Sequence, residues 1–443
     1  MTNILVFGAG KSSSYLIKYL LDCSLKQFWQ VTVADSNLNA ALAKIGDHSF
    51  GRAVQLDIHE DLLRKRQIGQ ADLVISLLPP SLHFIVAKDC IELRKNLITA
   101  SYLSEEIKSL HIDARNAGLL FMNEIGLDPG IDHMSAMKII DEIERLGADI
   151  SSFKSYCGGL VAPESDNNPW HYKISWNARN ILNAGKSGAH FMDNGIEKKF
   201  DYSDLFNQYE LIKVPGLGNL AAYANRDSLN YRNYYGLEQV KTMLRATFRY
   251  EEFCLGWNTI IQLGLTTEDM KFTDAGLTYY DWFMNVTKAV EGNNPSDKIR
   301  NITPKEKDLV INLIDWLGLF NNDKINLAGE MSSADILLQR MEEKWKIEDY
   351  DKDMVVMRHE FDYARKNIET RLSSTLIVKG EDKTYTAMAK TVGLPMAIFA
   401  KLLLTGKIKN LVGVQIPIMK EVYKPVLKEL ATFGIEFSEE YYA

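Results

Sequence analysis

Chemistry is first legible at Gly8-Ala9-Gly10-Lys11-Ser12-Ser13, which follows an apolar run and opens a helical pattern. In such a turn the first glycine permits the tight reversal, and the second lets backbone approach a pyrophosphate. A small third residue lets the helix pack on its strand. The helix start then offers free N–H groups and a positive dipole end to the phosphates. Ser13 stands where a third glycine is usual, which weakens the motif, and an ordinary strand–helix turn is the bland alternative. Its place in the first βαβ unit, with Asp35 closing the second strand, favours a nicotinamide-dinucleotide site. A carboxylate at Asp35 accepts hydrogen bonds from a ribose 2′-hydroxyl. It opposes a 2′-phosphate by roughly 4 kcal/mol per close unit-charge pair at a surface-like dielectric. No basic residue follows until Lys44, so NAD is favoured over NADP; alternatively Asp35 caps the helix that starts near Asn37. Ser101 and Tyr102 follow the strand Asn96–Thr99 at the carboxyl edge, where open α/β sheets bind ligands. Asp128 sits between glycines in a Pro/Gly turn, where it either meets a ligand or caps the next helix.

These residues need a frame. Asn3–Phe7, Gln30–Ala34, Ala53–Leu56, Leu73–Leu77, Asn96–Thr99 and Leu119–Phe121 read as strands with helical patterns between them, the signature of βαβ units and a parallel sheet. After about Asp128 the pattern changes. A helix over Ile131–Leu146 leads to strand candidates at Ser151–Tyr156, Leu211–Val214, Met243–Phe248, Met354–Phe361 and Leu372–Val378. Amphipathic segments such as Lys305–Leu317 and Ala334–Lys346 mark a helical insertion, and the tail reads as helices over Tyr385–Val392, Pro395–Leu404 and Lys420–Phe433. The expected fold class is α/β: a Rossmann-like parallel-sheet domain over 1–128, and an α+β substrate and dimerisation domain over 129–383 carrying the helical insertion at about 253–350.

With 443 residues the chain suits two or three domains. Its net charge of −7 argues against nucleic acid or an acidic membrane surface as partner. Four cysteines without CxxC spacing fit neither a zinc site nor a disulfide framework. No signal segment and no run of about 20 apolar residues is present, so a cytoplasmic protein is expected. Eight scattered histidines without an HExxH pair make a catalytic metal unexpected.

The segment Asn123-Glu124-Ile125-Gly126-Leu127-Asp128-Pro129-Gly130-Ile131-Asp132-His133 resembles the interdomain segment of the saccharopine reductases, the glutamate-forming saccharopine dehydrogenases. The resemblance continues at Ser155-Tyr156-Cys157-Gly158-Gly159-Leu160, at Ala162-Pro163-Glu164 and Asn168-Pro169, and at Tyr172-Lys173-Ile174-Ser175-Trp176. It returns at Asn225-Arg226-Asp227-Ser228 and Thr247-Phe248-Arg249-Tyr250. It departs at Val161, where the family usually has proline, and at Asp35-Ser36, where NADP-using members tend to carry an arginine.

The resemblance implies an NAD(P)-dependent oxidoreductase of lysine metabolism. Saccharopine, NAD(P)⁺ and water give L-glutamate, 2-aminoadipate 6-semialdehyde and NAD(P)H, or the reverse. It implies a homodimer and a Rossmann domain completed by about 384–443. It places Lys11, Ser12, Ser13, Asp57, Ile58, Leu78, Ala100, Ser101, Leu127, Asp128, Pro129 and Asn177 at the cofactor, with Gly8, Gly10 and Asp35. Ser101, Tyr102, Asp128, Arg226, Thr247, Phe248 and Arg249 fall at the substrate, the arginines gripping carboxylates with their planar forks. Tyr102, Asp128 and Cys157 are the candidates for moving protons. A polyamine-type (homospermidine or carboxynorspermidine) dehydrogenase and a non-catalytic NAD(H)-binding scaffold are the competing readings.

Overall fold

A computed structural model of the chain describes residues 1–288, 294–366 and 368–442. The chain divides into two compact units. One comprises Met1–Asp149, Tyr363–Thr370 and Ser374–Ala443, and the other Ile150–Asp362 and Arg371–Ser373.

The first unit is built on strands rich in β-branched and aliphatic residues: β1 (Thr2–Phe7), β2 (Trp29–Asp35), β3 (Gly51–Gln55), β4 (Leu73–Ser76), β5 (Asn96–Thr99) and β6 (Leu120–Met122). Their order is β6-β5-β4-β1-β2-β3, with Gly413–Gln415 added beside β6, and every pairing is parallel. This is the doubly wound Rossmann order, whose topological switch lies between β1 and β4. The α/β class expected from the sequence is the class observed.

Helix α1 (Ser14–Gln27) runs back from the glycine turn and packs along the tail helix Ala387–Leu404. Gly393 makes that approach possible, because a Cβ there would stand 2.9 Å from the Leu16 nitrogen. The two helices expected over 385–404 are one, with Pro395 inside it. Burial of its apolar length, 72% of it inside the protein, carries the helix through the proline. Contacts extend this unit past the expected boundary at 128. The helix Ile131–Arg145 packs its buried face on Lys420–Ala431.

The second unit holds a mixed sheet, ordered Tyr209–Val214, Gly218–Ala224, Thr242–Arg249, Asp149–Val161, Asp353–Arg365. Thr242–Arg249 runs parallel to Asp149–Val161 and antiparallel to Gly218–Ala224. The hairpin Ala189–Asp193/Ile196–Phe200 joins it at one bridge. Neither the hairpin nor Gly218–Ala224 was expected as strand. Ile-Glu-Lys-Lys-Phe lacks alternation, and Gly-Asn-Leu-Ala-Ala-Tyr-Ala has poor strand propensity and forms a strand through burial between its neighbours.

Five helices of at least seven residues cover Glu251–Gln262, Tyr279–Thr287, Ser296–Ile302, Lys307–Trp316 and Ser333–Lys344. Two start in capping boxes, Thr278/Asp281 and Ser332/Asp335. Their apolar faces meet a core around Trp170, Trp257, Trp282 and Trp345. Within the insertion expected over 253–350, residues 289–293 lie outside the described residues, as does Ala443 in the expected tail.

Candidate active site

In the first unit the cofactor candidates gather at the carboxyl edge of the parallel sheet. Gly8 ends β1 with φ +100°, and a Cβ there would meet the Leu77 carbonyl at 3.1 Å. A Cβ on Gly10 would meet nothing within 4 Å, so backbone alone faces open space at the helix start, as a pyrophosphate requires. Ser13, in the place of the third glycine, is 1% exposed and closes the turn with its own hydroxyl, which donates to the Gly10 carbonyl at 2.8 Å. Lys11 is exposed and Ser12 partly so. Asp35 bridges two backbone segments: Oδ2 accepts from the Ala9 N–H at 2.7 Å and Oδ1 from the Asn37 N–H at 2.8 Å. The cap of the following helix is Asn37, whose side chain accepts from the Ala40 N–H, so Asp35 is not spent on capping.

Asp57 and Ile58 follow β3, and Leu78 follows β4, on the same edge. Asp57 is exposed, with Oδ1 accepting from the His59 N–H, while Ile58 is buried.

Beyond β5 the chain turns through Ala100, Ser101 and Tyr102 against the loop 126–130. Gly126 is needed for that approach, since a Cβ would lie 2.8 Å from the Ala100 Cβ. The loop is closed by Gly126 N–H to the Pro129 carbonyl and Ile131 N–H to the Gly126 carbonyl, both at 2.9 Å, and the Asp128–Pro129 peptide is cis. Leu127 and Pro129 are buried and Asp128 is partly exposed. The Tyr102 hydroxyl donates to Asp128 Oδ1 at 3.0 Å, so the phenol and carboxylate form one hydrogen-bonded pair.

Three residues that the sequence reading gave no role organise this edge. Glu124 is buried. Its Oε1 accepts from the Leu103 N–H at 2.8 Å, its Oε2 lies 2.7 Å from His133 Nε2, and its own N–H donates to the Ser101 carbonyl. Glu124 and His133 stand inside the motif that carries the resemblance, yet only their side-chain partners reveal the clamp. His83 carried no sequence signal at all. It is buried at the start of a helix, with Nδ1 2.9 Å from Ser76 Oγ and Nε2 2.6 Å from Ser101 Oγ.

Burial pushes the His83 imidazole down to about 4 from its ordinary 6.5. Between those values the unfolded chain binds a proton that the folded state refuses, so stability falls as the pH drops from 6.5 toward 4. Urea midpoints at neutral pH and at about pH 4.5 should show wild type losing roughly 2–3 kcal/mol more than His83→Phe. Equal losses would mean that the folded protein carries a protonated ring.

In the second unit, register sets the candidates on one sheet face. Cys157 pairs with Thr247 and Thr247 with Tyr223, while Arg249 lies two residues further along the same strand. Arg249 is 4% exposed, its guanidinium 5.3 Å from the Tyr172 ring centre and 5.5 Å from that of Phe253. Nη1 donates to the Phe248 carbonyl at 2.7 Å, and the buried Nε has no partner among the described residues. Among the described residues no carboxylate lies within ion-pair distance of it. Burial pushes the Tyr223 phenol up to about 12 against the opposing pull of Arg249, and likewise raises the Cys254 thiol to about 12, so neither supplies a counter-charge at neutral pH. The face therefore holds a desolvated cation with an unused N–H, a receptor for an anion.

Other candidates fall elsewhere. The Phe248 side chain is fully buried on the opposite face, stacked on Tyr156 at 5.1 Å, which leaves only its backbone on the Arg249 side. Arg226 is exposed with φ +54°, paired in register with Ala189. Asn177 is an exposed helix cap whose side-chain oxygen accepts from the Arg179 N–H at 2.9 Å. His171 is partly buried and 2.6 Å from Asp166, and Lys173 is buried against Asp351 at 2.6 Å. Among the described residues no three His, Cys, Asp or Glu side chains cluster as a metal site.

Comparison with known proteins follows the same two parts. A family model described as the saccharopine dehydrogenase NADP binding domain matches residues 4–122, and one described as the saccharopine dehydrogenase C-terminal domain matches residues 126–435. Over 449 residues, covering 99% of each chain, the protein is 34% identical to "saccharopine dehydrogenase [NADP(+), L-glutamate-forming]" of Saccharomyces cerevisiae. The solved apo structure of the L-Glu-forming saccharopine dehydrogenase from that yeast matches with a TM-score of 0.88 at 32% identity, covering 100% of both chains. A homospermidine synthase from Legionella pneumophila, solved with NAD, matches at TM-score 0.57 and 9% identity over 100% of this chain and 91% of that one, a likeness of fold alone.

Proposed function

This chain belongs to the saccharopine dehydrogenase family, and from that premise we propose that it oxidises L-saccharopine with NAD(P)⁺ and water to L-glutamate and 2-aminoadipate 6-semialdehyde, and runs the reverse condensation. The observation that carries this reading is Arg249, a buried guanidinium with no carboxylate partner among the described residues, on the sheet face that also bears Cys157 and Thr247. Saccharopine is a secondary amine with three carboxylates, and such a cation suits one of them. Polyamine substrates are cations, which this face repels.

A nicotinamide dinucleotide, when bound, would supply the hydride acceptor. The chain's residues do the rest. The glycine turn and the start of α1 would hold the pyrophosphate, and Ser101 and Tyr102 present hydroxyls at the sheet edge. The Tyr102–Asp128 pair keeps the substrate nitrogen neutral by taking its proton. After hydride loss the pair serves the water that adds to the imine carbon and the proton that returns to nitrogen as the C–N bond breaks and glutamate leaves. Cys157 and Arg226 are proposed as further contacts to the substrate.

Mixing the folded protein with saccharopine and either dinucleotide should produce the absorbance of reduced nicotinamide. No turnover with NAD⁺ or NADP⁺ sinks the reading. Tyr102→Phe and Asp128→Asn should each lower kcat by about 10²–10⁴-fold with reduced-cofactor binding retained; near-normal rates in both would remove the pair from the chemistry.

On the cofactor, the relatives' names carry NADP(+), whereas Asp35 stands where a 2′-phosphate would meet a carboxylate. We therefore propose NAD⁺ as the preferred dinucleotide of this chain. A homodimer and a cytoplasmic setting belong to the same proposal; four cysteines outside any disulfide, three of them buried, support a reducing compartment.

A further inference from the structure

We propose that His83 is a positioning residue for this reaction, one that aims the Ser101 hydroxyl at the bound ligands from behind the sheet edge. The inference rests on the reading above that Ser101 meets cofactor and substrate. The ring bridges the ends of two adjacent strands. Ser76 closes β4, Thr99 closes β5, and His83 lies between them with Nδ1 2.9 Å from Ser76 Oγ, Nε2 2.6 Å from Ser101 Oγ and Nε2 3.3 Å from Thr99 Oγ1. The Ser101 N–H donates to Thr99 Oγ1 at 3.2 Å, so both the backbone and the hydroxyl of Ser101 are tied to one buried cluster. Ser76 and Thr99 are at most 1% exposed and His83 is 4% exposed, whereas Ser101 is partly exposed. A cluster of three buried polar side chains is costly unless every hydrogen bond is made, and its single outlet is a hydroxyl at the ligand-binding edge.

A neutral imidazole offers one donor and one acceptor. With the proton on Nε2, the ring donates to Ser101 Oγ, and the serine's own O–H is left to point outward as a donor. With the proton on Nδ1, the ring donates to Ser76, Ser101 donates to Nε2, and the serine presents a lone pair outward. The same serine can therefore meet a substrate nitrogen that bears a proton or one that has lost it. Burial holds the ring neutral through the assay range, and its place at a helix N-terminus also disfavours the cation.

The test is a double-mutant cycle. His83→Phe keeps the volume and removes both hydrogen bonds, and His83→Gln keeps one donor and one acceptor. Each is made in wild-type and Ser101→Ala backgrounds, with folding followed by thermal melts. We expect His83→Phe to lower kcat/KM for saccharopine about tenfold or more and to weaken NADH binding, read by cofactor fluorescence, with partial recovery in His83→Gln. In the Ser101→Ala background the same substitution should change either quantity less than about twofold, because the group it acts through is gone. Equal losses in both backgrounds, or no loss in wild type, overturn the proposal. Should wild type bind NADH without oxidising saccharopine, the functional reading fails, and the NADH arm of the cycle still decides the role of His83. If His83→Phe does not fold, His83→Gln carries the cycle.

Discussion

Arg249→Met should lower kcat/KM for saccharopine by roughly 10²–10³-fold while leaving the unliganded protein at least as stable as wild type. The two halves of that result have one cause. The guanidinium is buried between Tyr172 and Phe253 with its Nε unsatisfied and its charge opposed by no carboxylate among the described residues. In the free protein it is a desolvated cation whose compensation is a single hydrogen bond to the Phe248 carbonyl and two aromatic faces. Those contacts return about 1 kcal/mol for the hydrogen bond and a similar amount per face, against a desolvation penalty of several kcal/mol. Methionine fills the same slot with an unbranched apolar chain that aromatic surroundings accept well. A bound carboxylate reverses the balance. The truncated variant then leaves a substrate carboxylate facing an apolar wall, at a cost of about 2–5 kcal/mol. Steady-state kinetics and a melting curve without ligands check both halves. A variant that loses activity and stability together would show Arg249 to be a structural residue.

Asp35→Ser should be the second large effect, and it changes the choice between cofactors more than the rate with the better one. Both Asp35 oxygens already accept backbone N–H bonds in the free protein, one from Ala9 in the glycine turn and one from Asn37. Each oxygen keeps a second lone pair, so a ribose hydroxyl can be added without displacing the turn. A 2′-phosphate at the same place meets a carboxylate at the roughly 4 kcal/mol scale of a close pair. Serine removes that charge. The ratio of kcat/KM for NAD⁺ over NADP⁺ should fall by about 10²–10³-fold, through loss with NAD⁺ and gain with NADP⁺. Asp35→Asn separates charge from geometry, because it retains one oxygen for Ala9 and lacks the charge. A wild type that prefers NADP⁺ by a large factor would overturn the reading of Asp35 and align this chain with the names of its relatives.

The parallel sheet was legible because its strands are apolar runs of strand length set between helical patterns. β1, β2, β4 and β5 all fall within a residue or two of where those cues put them. The second sheet was less legible. Gly218–Ala224 owes its form to neighbours distant in sequence, and Gly413–Gln415 is three residues added to an edge, too short for any period to show. The sheet-edge candidates could be read as motifs, but what holds them could not. His83 looks like any histidine near a Pro-Pro turn until Ser76 and Ser101 are found at its two nitrogens. Phe248 shows the converse. It stands in a motif between Thr247 and Arg249, yet strand alternation sends its side chain to the far face, which motif reading alone does not weigh.

The strand Gly413–Gln415 extends the sheet beside β6, and the helix Ala387–Leu404 covers α1. Both follow the second unit in the chain, whereas their partners precede it. During synthesis, then, the dinucleotide unit is begun before the second unit and completed after it. Through the whole translation of 150–362 its β6 edge stands unpaired and the apolar flank of α1 uncovered, the kind of surface on which nascent chains aggregate. The segment between, by contrast, emerges from the ribosome as one nearly continuous stretch that carries its own core. Premature termination between Ile150 and Ala387 would leave the glycines, carboxylates and hydroxyls of the cofactor edge in the polypeptide and still deny that unit its closing layer.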